Sequence, residues 1–328
     1  MVTIKDIAKL ANVSRSTVSR VLNNSGYVSE DARKRVEEVI EETGYVPSEQ
    51  AKSLRTKKTK VIGVILPTIQ TETPSRIVTG VGKELAKHGY QILLANTNLD
   101  KDKEFEYLDL LKVRQVDGII LIATNTEPEL MEKIKAINIP FVMIGQESEE
   151  VMYVSYDDYQ AARDLTSFLI DEGHEKIGFI GVDETDRAVG HERKRGYLDE
   201  MESRKLPVEK EWMQQGIFDI DSGREAMKRM IESIGERPTA VLAVTDRLAI
   251  GAMSYLKQQG MSIPDEMAVA GFGASEMSQY IDPPLTTVDY QNEQAGIEAA
   301  KQIMASIRSQ NVQEKVILDG RLIIRNSV

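Results

Sequence analysis

Four side chains near the amino terminus, Arg15, Ser16, Ser19 and Arg20, have the chemistry of a nucleic-acid reader. A guanidinium forks onto the two acceptors of a guanine edge, and short hydroxyls meet phosphate oxygens or either base. Their spacing puts them on the outward side of one short helix, opposite Val18, Val21 and Leu22. A solvated face on a small helical bundle reads the same way, and pattern alone leaves both readings open.

Catalytic chemistry has less to stand on. Gly80-Val81-Gly82 and Gly271-Phe272-Gly273 each begin a dinucleotide fingerprint, but Leu85 and Glu276 take the place of its third glycine. There is no phosphate loop ending in Gly-Lys-Ser/Thr and no His-Glu-x-x-His pair. The three histidines are His88, His174 and His191. His88 and His174 adjoin Gly89 and Gly173 at expected helix ends, where capping accounts for them. The chain has no cysteine, which excludes disulfides, zinc-thiolate sites and thiol nucleophiles. Neither a metal, a cofactor nor an enzymatic activity is expected.

The reader residues need a scaffold, and the first sixty residues supply its signals. Thr3 caps a helix whose Ile4, Ile7, Ala8 and Ala11 form one apolar stripe. Asn12-Val13 breaks it, and Ser14 caps the second helix. Ser29 opens a third, with Ala32, Val36, Val39 and Ile40 inward and Gly44 as its stop. Two helices at a tight turn braced by a third make a helix-turn-helix, whose second helix enters the major groove.

Charge is split to match. Residues 1–60 carry 12 Lys and Arg against 8 Asp and Glu, whereas the remainder carries 29 against 44. A basic head on an acidic body suits a chain that meets a polyanion at one end. The overall net charge of −11 hides this. At 41% hydrophobic and 28% charged residues over 328 positions, two or three globular domains are expected. No apolar run is long enough to span a bilayer, and charged residues follow Met1 closely. No membrane association, no signal peptide and a cytoplasmic location are therefore expected.

The run from Thr3 to Asn23, TIKDIAKLANVSRSTVSRVLN, resembles the head of the lactose-repressor/galactose-repressor family. The likeness continues through Val28-Ser29, Gly44-Tyr45-Val46-Pro47 and Ala51-Lys52-Ser53-Leu54-Arg55, and then through the body. It implies that Arg15, Ser16 and Arg20 read bases while Thr3, Thr17, Ser19 and Asn23 hold phosphates. It also implies a hinge helix over Ser48–Leu54, with Ser48, Ala51 and Lys52 on the DNA and Leu54 wedged into the minor groove. Ser48 and Lys52 stand where the family commonly has Asn and Arg.

The body alternates apolar runs with amphipathic stretches. Val61–Leu66, Gln91–Ala95, Gly118–Ala123 and Phe141–Ile144 form one series of expected parallel strands, and Lys176–Gly181, Ala240–Val244 and Met267–Gly271 a second. The expected fold class is α/β: a three-helix head and hinge helix, then a two-lobed, doubly wound domain. Asp319-Gly320 between apolar runs gives a hairpin signal. The resemblance implies the architecture of periplasmic sugar-binding proteins. Its expected domains are a head at 1–47, a hinge at 48–59 and a body at 60–328. Lobe 1 takes about 60–157 and 288–317, and lobe 2 about 158–287 and 318–328, with crossings near Asp157, Thr287 and Leu318.

Ligand is then expected between the lobes. By resemblance, lobe 1 offers Thr73, Ser75, Asp100 and Thr124. Lobe 2 offers Arg193, Phe218, Thr245, Asp246 and Gly273, with Tyr290 on a crossover. Asp246 reads equally well as a carboxylate placed at a helix start. Gly273 stands where many members carry a ligand-binding aspartate, and Gly145-Gln146 where some carry a carboxylate. These variants resemble repressors of sucrose or related operons. The expected function is a homodimeric repressor on a pseudo-palindromic double-stranded operator, relieved by a small sugar or phosphosugar. The alternative is a catabolite-control type of regulator that uses a protein co-repressor or another small molecule. Without a heptad repeat before Val328, dimers rather than tetramers are expected.

Overall fold

The computed structural model describes residues 2–45, 58–124, 126–233, 235–311 and 313–328. Ser48, Ala51, Lys52 and Leu54, and with them the expected hinge helix, lie outside the described residues. The chain divides into two units, Met1–Lys60 and Val61–Val328.

In the first unit the expected caps are in place. Helix α1 (Ile4–Leu10) starts at Thr3, which closes a reciprocal capping box with Asp6. Ser14 accepts from the Thr17 amide at the start of α2 (Arg15–Leu22), and Ser29 caps α3 (Glu30–Thr43). Each such cap stabilises a helix start by about 1 kcal/mol. Asn12, at φ +49°, makes the turn between α1 and α2. Gly44, at φ +61°, ends α3 in the left-handed region, where a glycine meets no steric cost. Ile7, Ala8, Ala11, Val18, Val21 and Val36 pack together as the core.

The second unit holds two six-stranded sheets. The first runs β1 (Val61–Leu66), β2 (Gln91–Asn96), β3 (Gly118–Ile122), β4 (Phe141–Ile144) and β5 (Met152–Tyr156) in the spatial order 2-1-3-4-5, with β11 (Lys315–Leu318) beside β5, all parallel. Side chains alternate between two layers. Ile62, Val64 and Leu66 of β1 face helices α4 (Glu72–Ala86) and α12 (Asn292–Ile307), whereas Ile65 faces α5 (Lys101–Val113) and α6 (Pro128–Ile137). The near-continuous apolar runs of β1, β3 and β4 follow from burial on both faces, whereas the edge strand β2 leaves Leu93 and Leu94 exposed.

The second sheet repeats the plan with β6 (Ile177–Gly181), β7 (Met213–Gln215), β8 (Ala240–Ala243), β9 (Ala268–Phe272) and β10 (Thr286–Asp289) in the order 7-6-8-9-10. Strand β12 (Arg321–Ile323) pairs antiparallel with β10 at the edge. Its helices are α7 (Asp158–Asp171), α8 (Arg193–Ser203), α9 (Ile220–Glu232), α10 (Asp246–Gln258) and the short α11 (Glu276–Tyr280).

One expectation needs correction here. Asp319-Gly320 is not a hairpin: β11 pairs with β5 in the first sheet and β12 with β10 in the second, so the dipeptide carries the chain between lobes. Thr287 itself lies inside β10, paired with β9 and β12, and the chain leaves the second lobe just beyond it, after Asp289. The expected crossing at Asp157 falls between β5 and α7. The three connections are tied together: the Tyr156 hydroxyl donates to Asn292 at 2.7 Å, the Tyr156 and Tyr290 rings stand 4.9 Å apart, and the Asp157 amide donates to the Leu318 carbonyl at 3.1 Å.

Candidate nucleic-acid interface and ligand cleft

On the head, α2 presents Arg15, Ser16 and Arg20 to solvent, with Thr17 and Ser19 half-buried and Asn23 exposed at its end. Arg15 and Arg20 have no ion pair or hydrogen bond to other described residues, so their guanidiniums are available to an outside acceptor. Ser14 Oγ joins Ser16 Oγ at 2.6 Å and Thr17 Oγ1 at 2.9 Å, which fixes the hydroxyls at the helix start. The Asn23 amide donates back to the Ser19 carbonyl. Thr3 spends its hydroxyl on Asp6 at 2.7 Å, and that bond holds the Asp6 carboxyl below its usual range.

Lys5 and Lys9 join this surface. With Asn12, Ser14 and Arg15 they line a shallow recess where α1 meets α2. The sequence reading passed over both lysines, although their spacing of four on the exposed side of α1 was a usable signal.

In the second unit, a cavity of about 360 Å³ opens between the lobes, walled by strand ends. From the first lobe come Thr68 after β1, Thr124 after β3 and Gln146 after β4. From the second come Thr245 and Asp246 after β8 and Gly273 after β9. Open parallel sheets bind ligands at such carboxyl ends, where the strand order reverses.

Arg193 is the pivot of the cavity. It is buried, its Nε donates to Asp158 Oδ1 at 2.7 Å, and its Nη1 donates to the Val244 carbonyl. Its guanidinium carbon stands 4.7 Å from the Phe272 ring centre and 4.8 Å from that of Tyr290. Burial is the largest single influence and works against the charge, but the charge and hydrogen bond of Asp158, with Tyr290 and Asp186, together outweigh it and raise the Arg193 pKa. The Tyr290 hydroxyl is sealed from solvent without a well-formed hydrogen bond. Burial, more than the nearby Asp158, pushes its pKa far up, so it stays a neutral donor.

Two contacts bridge the lobes across the cavity. Gln146 Nε2 donates to Asp186 Oδ1 at 2.9 Å, and the Glu276 amide donates to Glu72 Oε2 at 2.7 Å. Burial raises the Asp186 pKa against the lowering effect of its bonds from Val189 and Gln146. Asp246 is raised by burial too, against donors from Thr287 and Ser275.

The expected cleft residues divide accordingly. Thr73, Thr124, Arg193, Phe218, Thr245, Asp246, Gly273 and Tyr290 line the cavity. Ser75 and Asp100 do not, which corrects that expectation. Ser75 is exposed on α4, and the Asp100 carboxylate caps α5 by accepting from the Asp102 amide at 3.0 Å. Asp246 lies at the wall but turns its oxygens onto protein donors: Ser275 N at 2.6 Å, Ser275 Oγ at 2.8 Å and the Thr287 hydroxyl. Gly273, at φ +131°, occupies a conformation that side chains disfavour. Asp158, Asp186 and Arg247 also line the cavity and were not expected there: distant connections bring Asp158 and Asp186 together, whereas Arg247 directly follows the expected Asp246.

The family model for bacterial regulatory proteins of the lacI family matches residues 3–48, and that for a periplasmic binding protein-like domain matches residues 166–328. The "HTH-type transcriptional repressor PurR" of Actinobacillus pleuropneumoniae serotype 3 (strain JL03) is 32% identical over all of this chain and 98% of that protein. The chain belongs to the lacI family of bacterial regulatory proteins. Among solved structures, this lacI-family chain is similar to a transcriptional regulator CelR–cellobiose complex, at 28% identity and TM-score 0.76 over the whole of both chains. It shares the fold of a lac repressor dimer bound to operator and an anti-inducer, at 23% identity and TM-score 0.89, over 99% of this chain and 98% of that one. As a lacI-family member it is a ligand-responsive transcription regulator and not an enzyme. Among the described residues, no helix is long and apolar enough to cross a membrane.

Proposed function

We propose that this chain is a cytoplasmic, homodimeric repressor of a sugar-utilisation operon, whose grip on a pseudo-palindromic operator weakens when a small sugar or phosphosugar enters the cleft. In this reading Arg15, Ser16 and Arg20 meet base edges. Thr3, Thr17, Ser19 and Asn23 hold phosphates, joined by Lys5 and Lys9, and Ser48, Ala51, Lys52 and Leu54 act as the hinge. Thr73, Thr124, Arg193, Phe218, Thr245 and Tyr290 receive the ligand, and Gly273 leaves room beside them.

The carrying observation is the cleft itself. Its walls belong to two lobes joined by three connections and bridged by Gln146 and Asp186. A ligand that touches both walls favours the lobe arrangement that it fits best. The coupling to DNA then equals the difference in the ligand's affinity for the two states, typically about 1–3 kcal/mol. Two half-sites about one helical turn apart suit a two-fold dimer. The "cellobiose" in the name of the CelR complex supports a sugar.

The test is binding of the purified chain to a site selected from random DNA, titrated with neutral and phosphorylated sugars. Release by one of them supports the reading. Sequence-specific binding that no sugar moves would keep the head and sink the sugar cleft, in favour of a protein or other co-repressor.

A further inference from the structure

We propose that the effector carries an acidic group, a phosphate or a carboxylate, and that Arg247 receives it; this rests on the ligand-regulated cleft described above. Arg247 lines the cavity from the first turn of α10. Among the described residues it has no ion pair and no hydrogen bond, and its Nε is shielded from solvent without a partner. A shielded guanidinium donor is costly to leave unmade. A cation in the first turn of a helix is also disfavoured by the helix dipole. Neither folding nor helix stability accounts for an arginine there, whereas a bound anion does.

The other charges of the cavity are already engaged. Glu72 holds Arg76 at 2.7 Å and the Glu276 amide. Asp158 holds Arg193 at 2.7 Å, Asp246 takes Ser275 and Thr287, and Asp186 takes Gln146 and the Val189 amide through one oxygen. An unmodified sugar needs carboxylate or amide acceptors for its many hydroxyls. Here Asp186 Oδ2 and the Gln146 side-chain carbonyl are without a protein donor, while the Arg247 guanidinium is without a protein acceptor and the Tyr290 hydroxyl, beside Asp158, makes no well-formed bond. An unpaired guanidinium on the cavity wall fits a ligand that brings its own charged acceptor. The ligand is thus bipolar: hydroxyls on the Arg193, Asp186 and Tyr290 side, and an acidic group forked by Arg247.

The acidic carboxylates nearby still repel an anion, so the balance is set by contact geometry rather than by net charge. Asp246, the immediate neighbour of Arg247, points away to Thr287 and Ser275, and burial raises its pKa. Glu72 is neutralised by Arg76.

The experiment is calorimetric titration of the full-length protein with glucose, glucose 6-phosphate, glucuronate, sucrose, sucrose 6-phosphate and inorganic phosphate. An acidic sugar should bind more tightly than its neutral parent, by about tenfold or more, and the tighter of phosphate and carboxylate names the source of the charge. Arg247→Gln should remove that advantage while leaving any binding of the neutral parent unchanged, and Arg247→Lys should keep part of it. Thermal unfolding without ligand should be unaltered or improved in Arg247→Gln. A neutral sugar that binds as well as its acidic partner overturns the assignment but leaves the sugar-responsive reading intact. So does acidic-sugar binding that Arg247→Gln leaves unchanged. Binding by no sugar at all sinks both.

Discussion

Gln146 Nε2 lies 2.9 Å from Asp186 Oδ1, and the two residues belong to different lobes. Both are buried, so the bond links the lobes inside the cleft rather than at its rim. Asp186 Oδ1 also accepts from the Val189 amide at 3.1 Å, which holds the carboxylate still while the amide crosses to it.

An Asp186→Asn variant can keep both bonds, because the asparagine carbonyl takes the place of Oδ1. What it loses is a buried charge. Burial raises the folded pKa of Asp186, and Asp158 adds to that while Arg193 opposes it. A raised carboxyl binds its proton more tightly in the folded state. Its contribution to stability is therefore complete below the unfolded pKa and is lost as pH rises through the folded one. Each unit of elevation costs about 1.4 kcal/mol at neutral pH. Urea unfolding of both proteins from acid to neutral pH should show the variant gaining on the parent as pH rises, and then a constant gap. A gap independent of pH would mean that Asp186 is not elevated.

Arg15 stands exposed in the first turn of α2 with nothing in the described chain to hold it. If it reads a base, Arg15→Ala should weaken the selected operator by about 1–3 kcal/mol and relax preference at one base pair of each half-site. Lys9→Ala should instead weaken all sequences alike and lower the salt dependence. The measurement is a binding profile over single-base variants of the site. An Arg15→Ala profile that only shifts downward would make Arg15 a phosphate contact.

Helices α4 and α12 approach so closely that each needs a glycine. A Cβ on Gly80 would stand 1.9 Å from the Glu293 carbonyl oxygen, and one on Gly296 would stand 2.0 Å from that of Ile77. Backbone cannot yield as a side chain does, so Gly296→Ala should cost at least the upper end of the usual overpacking penalty, about 3 kcal/mol. Gly82, on the same α4, would meet only the tip of Ile92 at 3.7 Å. Gly82→Ala should therefore stabilise by about 0.5–1 kcal/mol through helix propensity. Parallel unfolding curves for the two variants would mean that the helices can slide apart.

What was legible in the sequence was local. The caps Thr3, Ser14 and Ser29 stand beside the helices that they start, and β1, β4 and β8 show as uninterrupted apolar runs. The second sheet's β10 was missed because Thr286 and Thr287 interrupt its apolar character, yet both are fully buried with their hydroxyls bonded to Arg325 and Asp246. Asp319-Gly320 misled for a related reason. A turn dipeptide does not record which sheet its flanking strands will join. Most cavity residues were reached through resemblance, and the partners that decide their roles are distant in sequence. Asp158 is 35 positions from Arg193, and Gln146 is 40 from Asp186.

Arg193 illustrates the consequence, for its structural duty and its expected ligand duty can be separated by experiment. Its Nε and Nη1 are spent on Asp158 and the Val244 carbonyl, and its plane lies against Phe272 and Tyr290. Arg193→Met leaves the Asp158 charge buried and unpaired, which should cost about 3–5 kcal/mol. Asp158→Asn alone strands the arginine and should also be costly, whereas the double variant removes both charges and should recover much of the loss. A double-mutant cycle by urea unfolding measures this coupling. If the double variant folds well but no longer binds any ligand that the parent binds, Arg193 serves the ligand as well as the fold. If it binds as the parent does, Arg193 is an internal strut and the ligand is held elsewhere on the wall. Strictly additive single losses would sink the pairing itself.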